Sequence, residues 1–229
     1  MNDIGRAHGA AIGIQQVVTA WALATHVSHG SPGGASPAAL AEAERTLGRA
    51  LPPAARDLYA AYDGGDFIGG NINLLPLHPT MRDILALTTA SDLMREWRWE
   101  VPPELLIFGG NGSEECYGLW LHAPHVPDPL VVAISEDQGL AVAGDSLPGF
   151  LAGHSAYYLL LKATHGYDLV PALDALGVPA PLRSYDPTDD GLYHRLLNWA
   201  NPHLPDKESD PWAHRMTRDQ INELARRRS

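Results

Sequence analysis

Several places in the chain carry side chains whose type and spacing could do chemistry. Gly109-Gly110-Asn111-Gly112 has the composition of a phosphate-cradling loop. Such a loop needs the full GxxxxGK[ST] run and a helix after it, whereas here a strand pattern follows. The four residues read as a tight turn between two strands, where Gly and Asn tolerate positive φ. His122 and His125 could offer two imidazoles to a metal. Pro124 bars a helical i, i+3 pairing and no third ligand has matching spacing, so no metal site is expected. Cys116 would need a base and an electropositive setting to act as a nucleophile. Its neighbours are Glu114 and Glu115, which raise a thiol pKa, so it reads as a small buried hydrophobe. Gly153-His154-Ser155-Ala156 lacks the GxSxG form of a nucleophile elbow and falls inside a helical pattern.

The acidic side chains come in groups. Asp63 and Asp66 flank a helix stop, Glu114 and Glu115 stand at a strand entrance, and Glu136 and Asp137 occupy a turn between strands. Carboxylate pairs do acid–base work only inside a cleft. In turns they are solvated charge, and if the turns gather at one end of a sheet they form a negative rim. Such a rim could enter a phosphate-binding groove of a partner protein and speed association with a basic partner. Trp97, Trp99 and Trp120 are candidate anchors, since Trp is enriched at binding hot spots, and each is also a candidate core residue. Arg226-Arg227-Arg228 is too short for a nucleic-acid patch and suits the C-terminal end of a helix dipole.

The rest of the composition narrows the field. The chain has 229 residues, 45% of them hydrophobic and 19% charged, which is a globular balance. A single cysteine excludes an intramolecular disulfide and a Cys-based zinc site, and suits a reducing cytoplasm. No apolar run approaches the ~18 residues of a membrane helix. The net charge is −11, so the body repels phosphate backbones and bare membranes and would suit a basic partner, while solubility alone accounts for this acidity in many soluble proteins.

The elements that must position these residues follow from local signals. A helix is predicted over roughly 12–27, then a linker-like His29-Gly-Ser-Pro-Gly-Gly-Ala-Ser36. Ser36-Pro37 opens a helix that Gly48 closes, and Leu51-Pro52-Pro53 opens a second, stopped at Asp63-Gly64-Gly65-Asp66. Residues 72–77 read as a strand ending at a proline. Thr80 with Asp83 predicts a helix over about 81–97. Strand signals follow at 105–108, 115–122, 130–134 and 140–143, with links short enough for antiparallel neighbours. Asp145-Ser146 caps a helix through about Lys162. The predicted class is α+β: a mostly antiparallel sheet flanked by helices and covered on one side. Residues 1–30 form an N-terminal helical segment, 31–165 the α+β domain, and 166–229 a helical extension broken by prolines.

Three blocks in this order resemble a known family. They are Ala41-Glu42-Ala43-Glu44 … Leu47-Gly48 … Leu51-Pro52 … Leu58-Tyr59 … Tyr62-Asp63-Gly64-Gly65, then Phe108-Gly109-Gly110-Asn111-Gly112-Ser113-Glu114-Glu115-Cys116-Tyr117-Gly118-Leu119, then Val131-Val132-Ala133-Ile134 … Asp137 … Ala143-Gly144-Asp145-Ser146 … Phe150-Leu151. Together they are similar to the Smi/Knr-type cell-wall-assembly regulators of the SUKH superfamily, over residues 37–162. Asp63 stands where that pattern has Asn, and Trp120 replaces an Asp. The resemblance implies a non-enzymatic binding domain without cofactor. Bacterial relatives are immunity proteins that bind and neutralise a cognate toxin, often a nuclease. Fungal relatives are regulatory and interaction modules, the alternative reading for this chain. Segments 1–30 and 167–229 lie outside the pattern.

Overall fold

The computed structural model describes residues 12–30, 33–80, 85–112, 115–123, 125–137, 139–186, 188–189, 191–204 and 215–228. Local chemistry sets several helix ends. Ser36 Oγ accepts from the Ala39 N–H at 3.1 Å, Pro37 fills the first turn, and Gly48 closes helix α2 (Pro37–Leu47) at φ 66°. Ser146 Oγ likewise accepts from Gly149 N–H at 3.1 Å and starts the long helix α5 (Leu147–Ala163). Helix α3 (Pro53–Ala61) is tied to α2 by Glu44, which accepts from the Arg56 guanidinium at 2.6 Å and from Leu51 N–H at 3.1 Å. The Arg56 hydrogen bond holds the Glu44 carboxyl below its usual range.

The sheet is a seven-stranded antiparallel meander in chain order: β1 (His29–Gly30), β2 (Gly65–Phe67), β3 (Ile72–Leu74), β4 (Leu105–Gly110), β5 (Glu115–Trp120), β6 (Val131–Ser135) and β7 (Gly139–Gly144). An irregularity between Ile107 and Gly109 shifts the β4–β5 register. The two glycines expected in the turn in fact end β4. A Cβ on Gly109 would lie 2.3 Å from the Asn73 carbonyl oxygen, so β3 approaches only because that atom is absent.

Side-chain alternation divides the core in two. Leu106, Phe108, Tyr117, Leu119, Val131, Ala133 and Ala143 face the larger cluster, with helix α1 (Ile14–Leu23), α2, α3, α5, α6 (Val170–Leu176) and α7 (Leu192–Ala200). Trp21 of α1 stacks on Phe67 at 3.9 Å and donates to Ser155 Oγ at 2.9 Å. Leu105, Ile107, Trp120, Val132, Ile134 and Val142 face a second cluster beneath helices α4 (Ala90–Glu96) and α8 (Arg218–Arg228), which contributes Ile221 and Ala225. The sheet is therefore covered on both sides, not on one as predicted. Burial of every residue of β6 is the signature of that arrangement. Residues 215–216 also close the open edge of β7: Arg215 bridges Ala141, and Met216 N–H donates to the Leu140 carbonyl at 3.0 Å.

Two helices are shorter than predicted. The 81–97 helix begins only at Ala90, and Asp83 lies outside the described residues. Upstream, Leu87 and Thr88 give their N–H groups to the Pro76 and Leu77 carbonyls, and Thr88 Oγ1 also donates to Leu77, so the backbone is committed to neighbours a helix would lack. Helix α1 stops at Leu23, because the following chain must pair with the sheet and the Val27 carbonyl accepts from Gly69 N–H.

Candidate protein-binding site

A meander of antiparallel strands sends alternate connections to opposite ends. The links β2–β3, β4–β5 and β6–β7 emerge at one end, here called the turn end. The longer links β1–β2, β3–β4 and β5–β6 emerge at the other. The turns at the turn end also touch. A Cβ on Gly112 would sit 3.7 Å from the Gly70 carbonyl oxygen, and one on Gly69 would meet Lys162 of α5.

This topology sorts the acidic residues. Glu115 enters β5 at the turn end, paired in register with Ser135, and the exposed Glu136 and Asp137 follow Ser135 there. Glu115 is fixed in place: its Oε2 accepts from Tyr117 OH at 2.9 Å and from Asn111 Nδ2 at 3.1 Å. Asp66 is exposed on β2, where its Oδ1 accepts from Asn73 Nδ2 at 2.7 Å. Asp63 lies at the opposite end, where its Oδ1 accepts from Leu77 N–H at 2.8 Å and pins the β3–β4 link. It belongs to no common rim with the others. Glu114 lies outside the described residues.

Trp120 needs correction as an anchor candidate. It is 0% exposed, and its Nε1 donates to Asn222 Oδ1 at 3.0 Å, so it joins β5 to α8 and offers no surface. Trp97 is half exposed at the end of α4, and Trp99 is partly buried against the second cluster.

Sequence reading missed the aromatic side of the turn end. Tyr117 lies between Phe150 and His154, whose Nε2 is 3.0 Å from Tyr193 OH. Tyr157 meets Tyr193 at 5.0 Å, Tyr158 at 5.1 Å and Tyr185 at 6.3 Å. Burial, and then the Glu115 charge, push the Tyr117 and Tyr158 phenols above their ordinary value, so both remain neutral donors. The one available signal was the Tyr157-Tyr158 pair; the other members come from separate elements.

The remaining candidates are inert or open. Burial, assisted by Glu115, pushes the Cys116 thiol up to about 11. Ellman's reagent at pH 8 is therefore expected to react with the folded protein far more slowly than with the urea-unfolded chain, where the thiol is ordinary, and the folded rate should climb only above pH 10. Cys116 is half-buried against the second cluster, not fully buried as expected, and fast labelling of native protein at pH 8 would contradict that setting. His125 is exposed and His122 half-buried, and among the described residues no three His, Cys, Asp or Glu gather to hold a metal. At the end opposite the turns, Leu51, Pro52, Leu121, Val126 and Pro127 line an open apolar groove of about 410 Å³.

The model of the SMI1 / KNR4 family (SUKH-1) matches residues 34–153, more than half of the chain. The chain belongs to this family. A comparison with curated proteins finds no match. The SUKH match spans α2 through the first part of α5 and so contains Asp66, Glu115, Glu136 and Asp137. Helices α1, α6, α7 and α8, and with them Tyr157, Tyr158, Tyr185 and Tyr193, lie beyond the matched residues. Helices outside the family pattern thus add to the cover that α2, α3, α4 and α5 already give the sheet. Among the described residues no helix is long and apolar enough to cross a membrane.

Proposed function

We propose that this SUKH protein is a cytoplasmic immunity protein that neutralises a cognate toxin by direct binding and carries out no chemistry itself. One observation supports the reading most: Glu115, Glu136 and Asp137 stand together at the turn end, with Glu115 fixed by two hydrogen bonds beside a bank of tyrosines. Fixed carboxylates with neighbouring aromatic surface suit a protein partner with a basic groove, such as a nuclease that grips phosphates. The charges speed encounter, and tyrosines hold the complex with little loss of side-chain entropy. Nucleic acid itself is repelled by the acidic body.

The test is to identify the proteins encoded beside the chain and, where one is a large secreted protein, to co-express its inactivated C-terminal domain, the candidate toxin domain, with the chain and purify the pair. A stable complex is expected, and active toxin domain should be tolerated only by cells that make the chain. Reversing Glu136→Lys together with Asp137→Lys should slow association roughly 10-fold at low salt, with the difference shrinking at high salt. Absence of both complex and protection would refute the immunity reading and return the chain to a regulatory module.

A further inference from the structure

Four large apolar side chains are strongly exposed among the described residues: Leu23 (49%), Trp97 (49%), Tyr167 (42%) and Val170 (57%). Three of them lie at the turn end. Helix α1 finishes there, because Ser28 Oγ accepts from Ile68 N–H and the Val27 carbonyl accepts from Gly69 N–H, both in the β2–β3 turn. Helix α5 also finishes there, with Lys162 against Gly69, and the chain then enters α6. Helices α1 and α6 pack antiparallel. At one end of the pair Gln16 reaches Gly177, and at the other His26 stacks on Tyr167 with ring centroids 6.4 Å apart. Leu23 is seven residues beyond Gln16, two helical turns on and within about 20° of the same face, which turns it toward the start of α6 and Val170.

Leu23, His26, Tyr167 and Val170 thus form one patch, and all four lie outside the family-matched residues 34–153. Beside the patch the Val27 carbonyl accepts from Gly69 N–H, and Gly70 of the same β2–β3 turn lies against Gly112 of the β4–β5 turn, which leads into Glu115. We propose that this patch is the apolar anchor point of the partner interface, receiving an apolar protrusion of a protein partner whose surrounding surface is basic. The proposal rests on the protein-binding reading above. The basic flank is required by Glu115, Glu136 and Asp137, which share the same end of the sheet. A second copy of this chain fits poorly, because each would bring a net charge of −11 to the contact. The family fold would then supply the acidic turns, while the flanking helices supply the apolar contact that distinguishes one partner from another.

Leu23→Ser and Val170→Ser test the patch, titrated calorimetrically against the inactivated toxin domain named above. Each is expected to weaken binding about 30-fold or more, as truncation at a hot spot does. Val170→Ile should bind as the unaltered chain does, and melting temperatures should stay within about 3 °C, since these side chains are half exposed. If the unaltered chain binds and both serine variants bind equally well, the patch is no anchor, although the immunity reading stands. If the unaltered chain itself does not bind, both readings fall. A dimer in sedimentation experiments that Val170→Asp dissolves would assign the patch to self-association and overturn the proposal.

Discussion

Trp120→Ala is expected to lower unfolding stability by about 3–5 kcal/mol, the usual cost of removing a large buried aromatic ring. The ring is fully enclosed on the second face of the sheet, and its Nε1–H holds Asn222 of α8. The loss therefore combines a cavity with the release of a helix. Trp120→Phe keeps most of the volume and drops only the Asn222 hydrogen bond. Because Asn222 is partly exposed and water can replace that donor, about 1 kcal/mol is expected. Urea titrations of the two variants measure both values. An alanine variant with native stability and lost partner binding would mean that the ring is an exposed anchor, contrary to its burial.

Gly149→Val should cost about 3 kcal/mol, at the upper end for forcing extra atoms into a packed contact. A Cβ at Gly149 would lie 2.5 Å from the Ala200 carbonyl oxygen and 2.8 Å from Asn201 Oδ1. One turn later, a Cβ at Gly153 would lie 3.0 Å from Leu197 Cδ2. The two glycines let α7 lie directly on α5, and that approach lets Asn201 Oδ1 accept from Asp145 N–H at 2.9 Å. Hydrogen exchange should quicken across α7 in the variant and least in β5 and β6. Ala38→Val, exposed on α2, is the matched control and should stay within about 0.5 kcal/mol of the unaltered chain.

Much of this architecture was legible wherever its cause is local. Ser36, Pro37 and Gly48 delimit α2 because cap chemistry acts over three or four residues, and Ser146 starts α5 for the same reason. The consecutive short links from β4 onward gave an antiparallel meander. The second cover of the sheet was hidden because α8 is rich in arginine and buries only Ile221 and Ala225, too narrow a stripe to announce a core helix. The helix expected over 81–97 failed where distant carbonyls at Pro76 and Leu77 claimed the backbone. At the candidate site, strand order brings Glu115, Glu136 and Asp137 to one end, which the sequence blocks allowed. The bond from Leu77 to Asp63, and the meeting of Tyr117, Tyr157 and Tyr193, join residues far apart in the chain, and no local pattern encodes them.

The closure of the second sheet face by α8 has a consequence for synthesis. Ile221 and Ala225 leave the ribosome long after β7, and at ~5–20 residues per second the interval is on the order of ten seconds. Throughout it, Val132, Ile134, Val142 and Trp120 lack one of their covering helices, and the β7 edge lacks the strap at 215–216. A nascent chain in this condition is sticky on one side and open along one border, which makes it a natural client for a holding chaperone until translation delivers the strap.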